Sequence, residues 1–484
     1  MLVFPPIINT RFTNNICCLP MGIASLAAYL RDRLEVAVLD CVVEGHDHHE
    51  PVSKRLVRFG LAFSEIQRRI EDFGPDILGV STIFSSQFPI VQEIVRRAKA
   101  ADPDIITITG GTHPSFLPEH CLETSKLDFI ILGEGERPLS RLIERLANQQ
   151  GFEDLPGIAF RENGEIKVNR ALDMVDDLDT LPYPARDLFP VEKYFRINLP
   201  MQGLSRHNRN LSVATSRGCP YRCTFCSSTI HWGHRLRNRS PENVLTELQM
   251  LKDRYGVREL KFEDDNLTHD TKRAKDIFRG MVGRGLDFYW NTPNGISIWT
   301  LDDEMLALMK ESGCYEITLA IESGDENVLH NLIKKPLKLE GASEAAKRIK
   351  AHGIETSGYF IIGFPGESRS QIMNTVKFAR SLELDRYYLF LYTPLPGTPL
   401  AKKAEEEGLI LPGFEYESAN NYFAPSVRTS DMSSEEVLKL ERREFWRLNL
   451  AFPLKHPLKF SRKYKNTLRD HPEFILKFFR SLLQ

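Results

Sequence analysis

A chain of 484 residues has room for about three domains, and 42% hydrophobic with 26% charged residues is the balance of a soluble globular protein. A formal net charge of −2 excludes a global attraction to nucleic acid, and no run approaches the ~20 apolar positions that cross a bilayer. The opening MLVFPPIINTRF lacks a basic run followed by an apolar core, so no secretory leader is expected and the cytoplasm is the expected compartment.

Through residue 140, short Val/Ile-rich runs alternate with helical patterns. MLVFPP, EVAVLD, PDILGVST, DIITITGG and LDFIILGEGE read as strands, whereas PMGIASLAAYLRDR, FSEIQRRIEDF and PIVQEIVRRAKAAD carry helical spacing. This alternation predicts a parallel sheet with helices on both faces, a Rossmann-like doubly wound α/β domain over 1–140. Its Gly and Ser/Thr residues cluster just past the strand ends, at the carboxyl edge where open α/β sheets bind ligands.

Residues 141–205, with the Pro-punctuated LPYPARDLFP, read as a connector. From 206 to 400 the strands LSVATS, RELKFEDD, FYWNTPN, YEITLAIES, ETSGYFIIGF and YYLFLYTP alternate with helices such as PENVLTELQMLKDRYG. Six units fall short of the eight of a closed barrel, so a partial (β/α)6 TIM-like barrel is predicted, with chemistry at the carboxyl ends of its strands. Residues 401–484 are expected to form a helical C-terminal region. From Asp431 onward it holds 12 Lys/Arg against 7 Asp/Glu mixed with aromatics, which suits either a docked helix pair or peripheral contact with the inner face of an anionic membrane.

Of the 8 cysteines, Cys219, Cys223 and Cys226 share one short loop, in CxxxCxxC spacing directly after the first strand of the second domain. Cys17, Cys18, Cys41, Cys121 and Cys314 are scattered. Eight cysteines in so long a chain are too few for a disulfide framework, and clustered thiolates suit iron–sulfur clusters or zinc. A structural zinc wants four closed ligands, usually in two pairs, and no second CxxC is present, although His231 or His234 could complete a tetrahedron. Three cysteines serving a 4Fe-4S cluster leave one iron open to a substrate or cofactor.

ATSRGCPYRCTFCSS, with the aromatic Phe225 before its last cysteine, resembles the signature of the radical S-adenosylmethionine superfamily. The resemblance implies that Cys219, Cys223 and Cys226 hold the cluster, that S-adenosylmethionine chelates the open iron, and that its reductive cleavage yields a 5′-deoxyadenosyl radical. FEDDNLT matches the family's methionine-amino site and implies contacts from Glu263 and Asp264, although it departs from the common Gly-Gly-Glu form. Glu322 in LAIESGDE matches the polar residue that holds the ribose hydroxyls, and Gly363 in GFPGE matches the turn against adenine. Tyr289, Trp290, Asn291 and Asn294 at the third strand, and Tyr387, Tyr388 and Tyr392 at the sixth, are expected either to line the cavity or to pack.

LPMGIASLAAYL, PDILGVST, ITGGTHPSFLPEH and FIILGEGE resemble the cobalamin-binding domain that precedes many members of that superfamily. The resemblance places Ser81, Thr82, Gly110 and Gly111 where the nucleotide tail of cobalamin threads the sheet edge, with His113 beside them. The best frame for a DxHxxG motif is Asp40-Cys-Val42-Val-Glu-Gly45, with Val42 at the histidine position, which implies cobalt without a protein histidine. Direct ligation by His46, His48 or His49 is a competing expectation, and a Rossmann-like nucleotide domain is a rival that lacks GxGxxG after its first strand.

The two cofactors together imply hydrogen abstraction from an unactivated carbon, followed by methyl transfer from cobalamin to a small-molecule, lipid or tetrapyrrole substrate. Alternatives are a cyclase or ring-rearranging enzyme that uses cobalamin without methyl transfer, and a non-catalytic cobalamin or metal sensor. An external electron donor such as flavodoxin or ferredoxin is the implied partner, and no single residue is picked out as catalytic.

Overall fold

The computed structural model describes residues 1–10, 15–201, 205–418, 421, 424–455 and 469. The chain divides into two compact units, one of Met1–Ile197 with Ile230–Gly233 and Glu415–Ala419, the other of Asn198–Thr229, His234–Phe414 and Asn420–Gln484.

In the first unit, β1 (Leu2–Phe4), β3 (Val38–Asp40), β6 (Ile77–Ser81), β7 (Ile106–Gly110) and β8 (Phe129–Ile131) run parallel, and β2 (Ile7–Thr10), β4 (His49–Pro51) and β5 (Leu56–Phe59) form a separate antiparallel sheet. β9 (Ile158–Glu162) and β10 (Glu165–Asn169) complete the main sheet, whose order is β10-β9-β8-β7-β6-β1-β3. Val3, Leu78, Val80 and Ile130 are buried against Phe88, Val91 and Val95 of the helix Phe88–Ala101, so these strands read as continuous apolar runs. The order reverses between β1 and β6. The ligand crevice of such a sheet therefore lies past their carboxyl ends, at Pro5-Pro6 and Ser81-Thr82.

Residues 141–205 are not a plain connector. Asn163 and Gly164 both take positive φ, 50° and 85°, and turn β9 into β10 as an Asn-Gly hairpin, which pairs antiparallel with β8. The helix Val191–Ile197 also belongs to this unit.

The second unit is built on β11 (Asn210–Val213), β14 (Glu259–Phe262), β15 (Tyr289–Ile296), β16 (Cys314–Glu322), β17 (Glu355–Ile362) and β18 (Arg386–Leu391). All six are parallel and pair in that order, an open barrel sheet, while β12 (Ser216–Arg217) and β13 (Arg237–Asn238) form a small antiparallel clip. Both faces of the barrel strands are covered, so side-chain parity decides direction. Trp290 turns outward, its ring 4.9 Å from Phe278 of the helix Thr271–Gly283, and is fully buried, so of the two alternatives it packs. Tyr289 begins β15 rather than ending it. The Tyr387 ring lies 6.3 Å from that of Phe360 and its hydroxyl accepts the Leu384 N–H at 2.6 Å, and Tyr392 is buried beside Phe364, so both pack; Tyr388 instead meets Tyr359 at 5.1 Å.

The helices Pro399–Glu406 and Ser434–Lys455 form the described part of the C-terminal region. Of the basic–aromatic region from Asp431 onward, for which docked helices or membrane contact were expected, residues 456–468 and 470–484 lie outside the described residues, and no helix among those described is long and apolar enough to cross a membrane.

Candidate active site and cofactor-binding edges

The cysteine loop leaves the carboxyl end of β11 through a tightly held stem. Asp264, 2% exposed, accepts the Thr215 N–H at 3.1 Å and the hydroxyls of Thr215 and Ser216 at 2.7 and 2.5 Å. Arg273 bridges the same stem, donating to the carbonyls of Thr215 and Arg239, each at 2.6 Å. The carboxylate of Asp264 thus braces the loop from the end of the neighbouring strand. Glu263, half-buried, accepts the Ser212 hydroxyl, and its carbonyl accepts Asn294 Nδ2 at 2.7 Å.

Past Gly218, whose φ of 91° makes the turn, the loop is pinned a second time. Thr224 donates its N–H to Ile333 O at 3.0 Å and its hydroxyl to Leu332 O at 2.8 Å, and its carbonyl accepts Leu400 N–H at 3.0 Å. Cys219, Cys223 and Cys226 are each half-buried. The Cys219 sulfur accepts the backbone N–H of Tyr221 and lies 3.9 Å from Asn266 Nδ2, and Cys226 accepts Ser228 N–H at 3.4 Å. Burial nevertheless raises all three thiols, Cys226 to about 12, so without a bound metal they are protonated at neutral pH.

This donor set fits an iron–sulfur cluster with an open iron. It offers three thiols on one loop with N–H groups aimed at sulfur. Among the described residues no three His, Cys, Asp or Glu side chains close around a single metal ion, as a structural zinc requires. His231, the proposed completing ligand, packs its ring on Trp232 at 4.4 Å.

Facing the loop, the end of β16 carries Glu322 at φ 69°, a left-handed conformation that costs a side-chain-bearing residue roughly 1–3 kcal/mol. Its carboxylate pairs with Lys335 Nζ at 3.2 Å. Burial would lower the Lys335 ammonium, but Glu322 and the Cys223 and Cys226 thiols raise it above its ordinary value. Lys335 was invisible in the sequence, where NLIKKPLK matches no motif and only the fold brings it to the cysteines. Phe225 packs its ring 6.1 Å from Phe364, which follows Gly363 at φ 77°. The cysteine loop and the GFPGE turn thereby share one apolar wall with Val328, Leu329 and Tyr392.

In the first unit, Ser81 and Gly110 pair in register at the ends of β6 and β7, and Thr82 N–H donates to Gly110 O at 2.8 Å. The Thr82 and Thr109 hydroxyls bond at 2.8 Å. Gly111 has φ 116°, and a Cβ there would stand 2.6 Å from Thr82 O, so only glycine lets the backbone close this edge. A bare glycine edge beside the switch crevice fits the tail of a large cofactor. His113 is buried next to Phe88 at 5.1 Å, and Glu417 lies 3.5 Å from its Nε2 while bonding His120 at 2.8 Å.

The residues of the DxHxxG-like frame are held by local contacts. Asp40 ends β3, one strand away from the crevice, and caps its own turn by accepting from Val42 and Val43 N–H, while Val42 is 2% exposed. Asp40 also accepts the Tyr194 hydroxyl, and burial raises it to about 6. The competing histidines are tied locally: His46 to Asn15 O at 3.3 Å, His48 to Gly60 O at 2.9 Å and His49 to Asn15 Nδ2 at 3.0 Å.

Comparison with known proteins follows the same division. The family model described as B12 binding domain matches residues 14–143, and that of the Radical SAM superfamily matches 213–379. The cytidylyl-2-hydroxyethylphosphonate methyltransferase of Streptomyces wedmorensis is 34% identical over 426 residues, covering 82% of this chain and 79% of its own. An uncharacterized methyltransferase of Pyrococcus horikoshii is 30% identical over 468 residues, covering 96% and 93%. The radical S-adenosylmethionine methyltransferase TsrM from Kitasatospora setae, solved with cobalamin and a [4Fe-4S] cluster, shares the fold with a TM-score of 0.69 at 16% identity, over 92% of this chain and 88% of that one.

Proposed function

This chain belongs to the radical S-adenosylmethionine superfamily, in the branch with an N-terminal B12-binding domain, and on that premise we propose that it transfers a methyl group to an unactivated carbon of a small-molecule substrate. The observation that carries the proposal is a trio of thiols together on one doubly pinned loop. When bound, the cluster and S-adenosylmethionine supply a carbon-centred radical, and cobalamin carries the methyl group. Cys219, Cys223 and Cys226 hold the iron, and the Asp264 brace fixes the direction from which they do so. Glu322 offers a carboxylate to the ribose hydroxyls from a backbone held in one conformation, and Lys335 pairs with that carboxylate and fixes its position. Phe225, Gly363 and Phe364 form the apolar wall for adenine and exclude water there. Glu263 is the acidic group for the methionine amine. Ser81, Thr82, Gly110 and Gly111 bracket the cobalamin tail. A low-potential one-electron donor feeds the site.

Reconstituted enzyme given cobalamin, a reductant and methyl-labelled S-adenosylmethionine tests the reading, with cytidylyl-2-hydroxyethylphosphonate as the first substrate probe. Formation of 5′-deoxyadenosine and S-adenosylhomocysteine together supports methyl transfer. Deoxyadenosine that never comes with S-adenosylhomocysteine removes it in favour of cyclisation or rearrangement, and no cleavage at all points to a sensor.

A further inference from the structure

We propose that Trp299 is the docking anchor for the protein that delivers electrons to the cysteine loop, a flavodoxin- or ferredoxin-class one-electron carrier, with Tyr221 as the relay; this rests on the cluster assignment above. Trp299 follows β15 and is 43% exposed, unusual for the largest side chain. Its indole N–H donates to the Tyr221 hydroxyl at 2.7 Å, and the two rings meet edge to face with centroids 5.0 Å apart. Tyr221 lies between Cys219 and Cys223, and its own backbone N–H bonds the Cys219 sulfur. One residue therefore joins an exposed aromatic edge to a cluster thiol.

His269 holds the other side of that relay, its ring 5.6 Å from the Tyr221 ring and its Nδ1 3.2 Å from the hydroxyl. The tyrosine is fixed from two directions, which a route for electrons needs and a surface loop residue does not. Arg222, exposed beside it, adds a positive charge at the rim that suits an acidic carrier. An exposed aromatic anchor with a charged neighbour is the make-up of the small, transient interfaces that redox partners form. In the step itself the carrier is oxidised by one electron and the cluster reduced by one, with no atom transferred.

The test uses the reconstituted full chain, Trp299→Ala and Trp299→Phe variants, and photoreduced flavodoxin as the probe. Two quantities are read: flavodoxin affinity by titration, and the growth of the reduced-cluster electron paramagnetic resonance signal with flavodoxin or with dithionite. Trp299→Ala is expected to weaken flavodoxin binding about tenfold and to slow flavodoxin-driven reduction in step. Iron content and dithionite-driven reduction stay at the wild-type level, and Trp299→Phe retains most of the affinity. Equal flavodoxin affinity and rate in wild type and Trp299→Ala would overturn the proposal. So would a matching loss with dithionite, which would make Trp299 a structural prop of the loop. A wild-type chain that shows no cluster signal with dithionite would instead sink the cluster assignment, and this inference with it.

Discussion

Lys335 Nζ and Glu322 Oε1 stand 3.2 Å apart with side chains only 11% and 10% exposed, an ion pair set against the cysteine loop. Deleting one partner of such a pair strands a charge, whereas neutralising both does not. Lys335→Met is therefore expected to cost about 3 kcal/mol, and Lys335→Met combined with Glu322→Gln less than the single change. Denaturant melts of the wild type, both single variants and the double variant check this; a double variant weaker by the full sum of its singles would deny the coupling.

Asp264 and Glu263 are neighbours with different work. Asp264→Ala leaves the Thr215 N–H and two hydroxyls without their acceptor, so it is expected to cost about 3 kcal/mol and to reduce iron content after reconstitution. Glu263→Ala should keep its iron and weaken S-adenosylmethionine binding. Iron counting and equilibrium binding distinguish the two, and a reversed pattern would refute the division.

Gly111→Ala places a methyl group 2.6 Å from Thr82 O at φ 116°. Strain of roughly 1–3 kcal/mol plus the clash should open the edge and lower corrinoid content about tenfold, with iron unchanged. Absorption spectra and metal analysis report both quantities on one sample.

Glu367 sets a pH signature. It is 1% exposed, and its Oε2 accepts the N–H groups of Gly363 and Phe364 at 2.7 and 3.0 Å, yet burial raises its carboxyl from the ordinary 4.5 to about 8. Between those values the folded chain keeps a proton that the unfolded chain has lost. Its contribution to stability is therefore whole below the lower value and is lost as pH rises through the upper one. Glu367→Gln, which retains the acceptor and adds an amide donor, should flatten the fall in stability over this window. Parallel pH slopes for variant and wild type would contradict the assignment.

The sequence disclosed most of the barrel because each parallel strand is a short Val/Ile-rich run bounded by polar punctuation, and the cysteine loop because its spacing is local. It disclosed less where both faces are buried. Without alternation, Trp290 and Asn291 looked alike, although one packs on Phe278 and the other turns inward. Asn163-Gly164 was a local hairpin signal in plain view, masked by the Pro-rich stretch that follows it. Lys335 had no local signal at all, since its partner Glu322 and the cysteines reach it only through the fold. The bracing of Thr215 and Ser216 by Asp264 likewise had no local signal, because the residues lie 49 and 48 positions apart in the chain and meet only past the ends of neighbouring strands.

The most direct measurement is 5′-deoxyadenosine release from S-adenosylmethionine under dithionite, comparing the reconstituted wild type with Cys219→Ala, Cys223→Ala and Cys226→Ala. Release by the wild type and none above background from any of the three variants is the predicted result. Undiminished release from even one of them would mean that these thiols do not hold the iron that cleaves the cofactor.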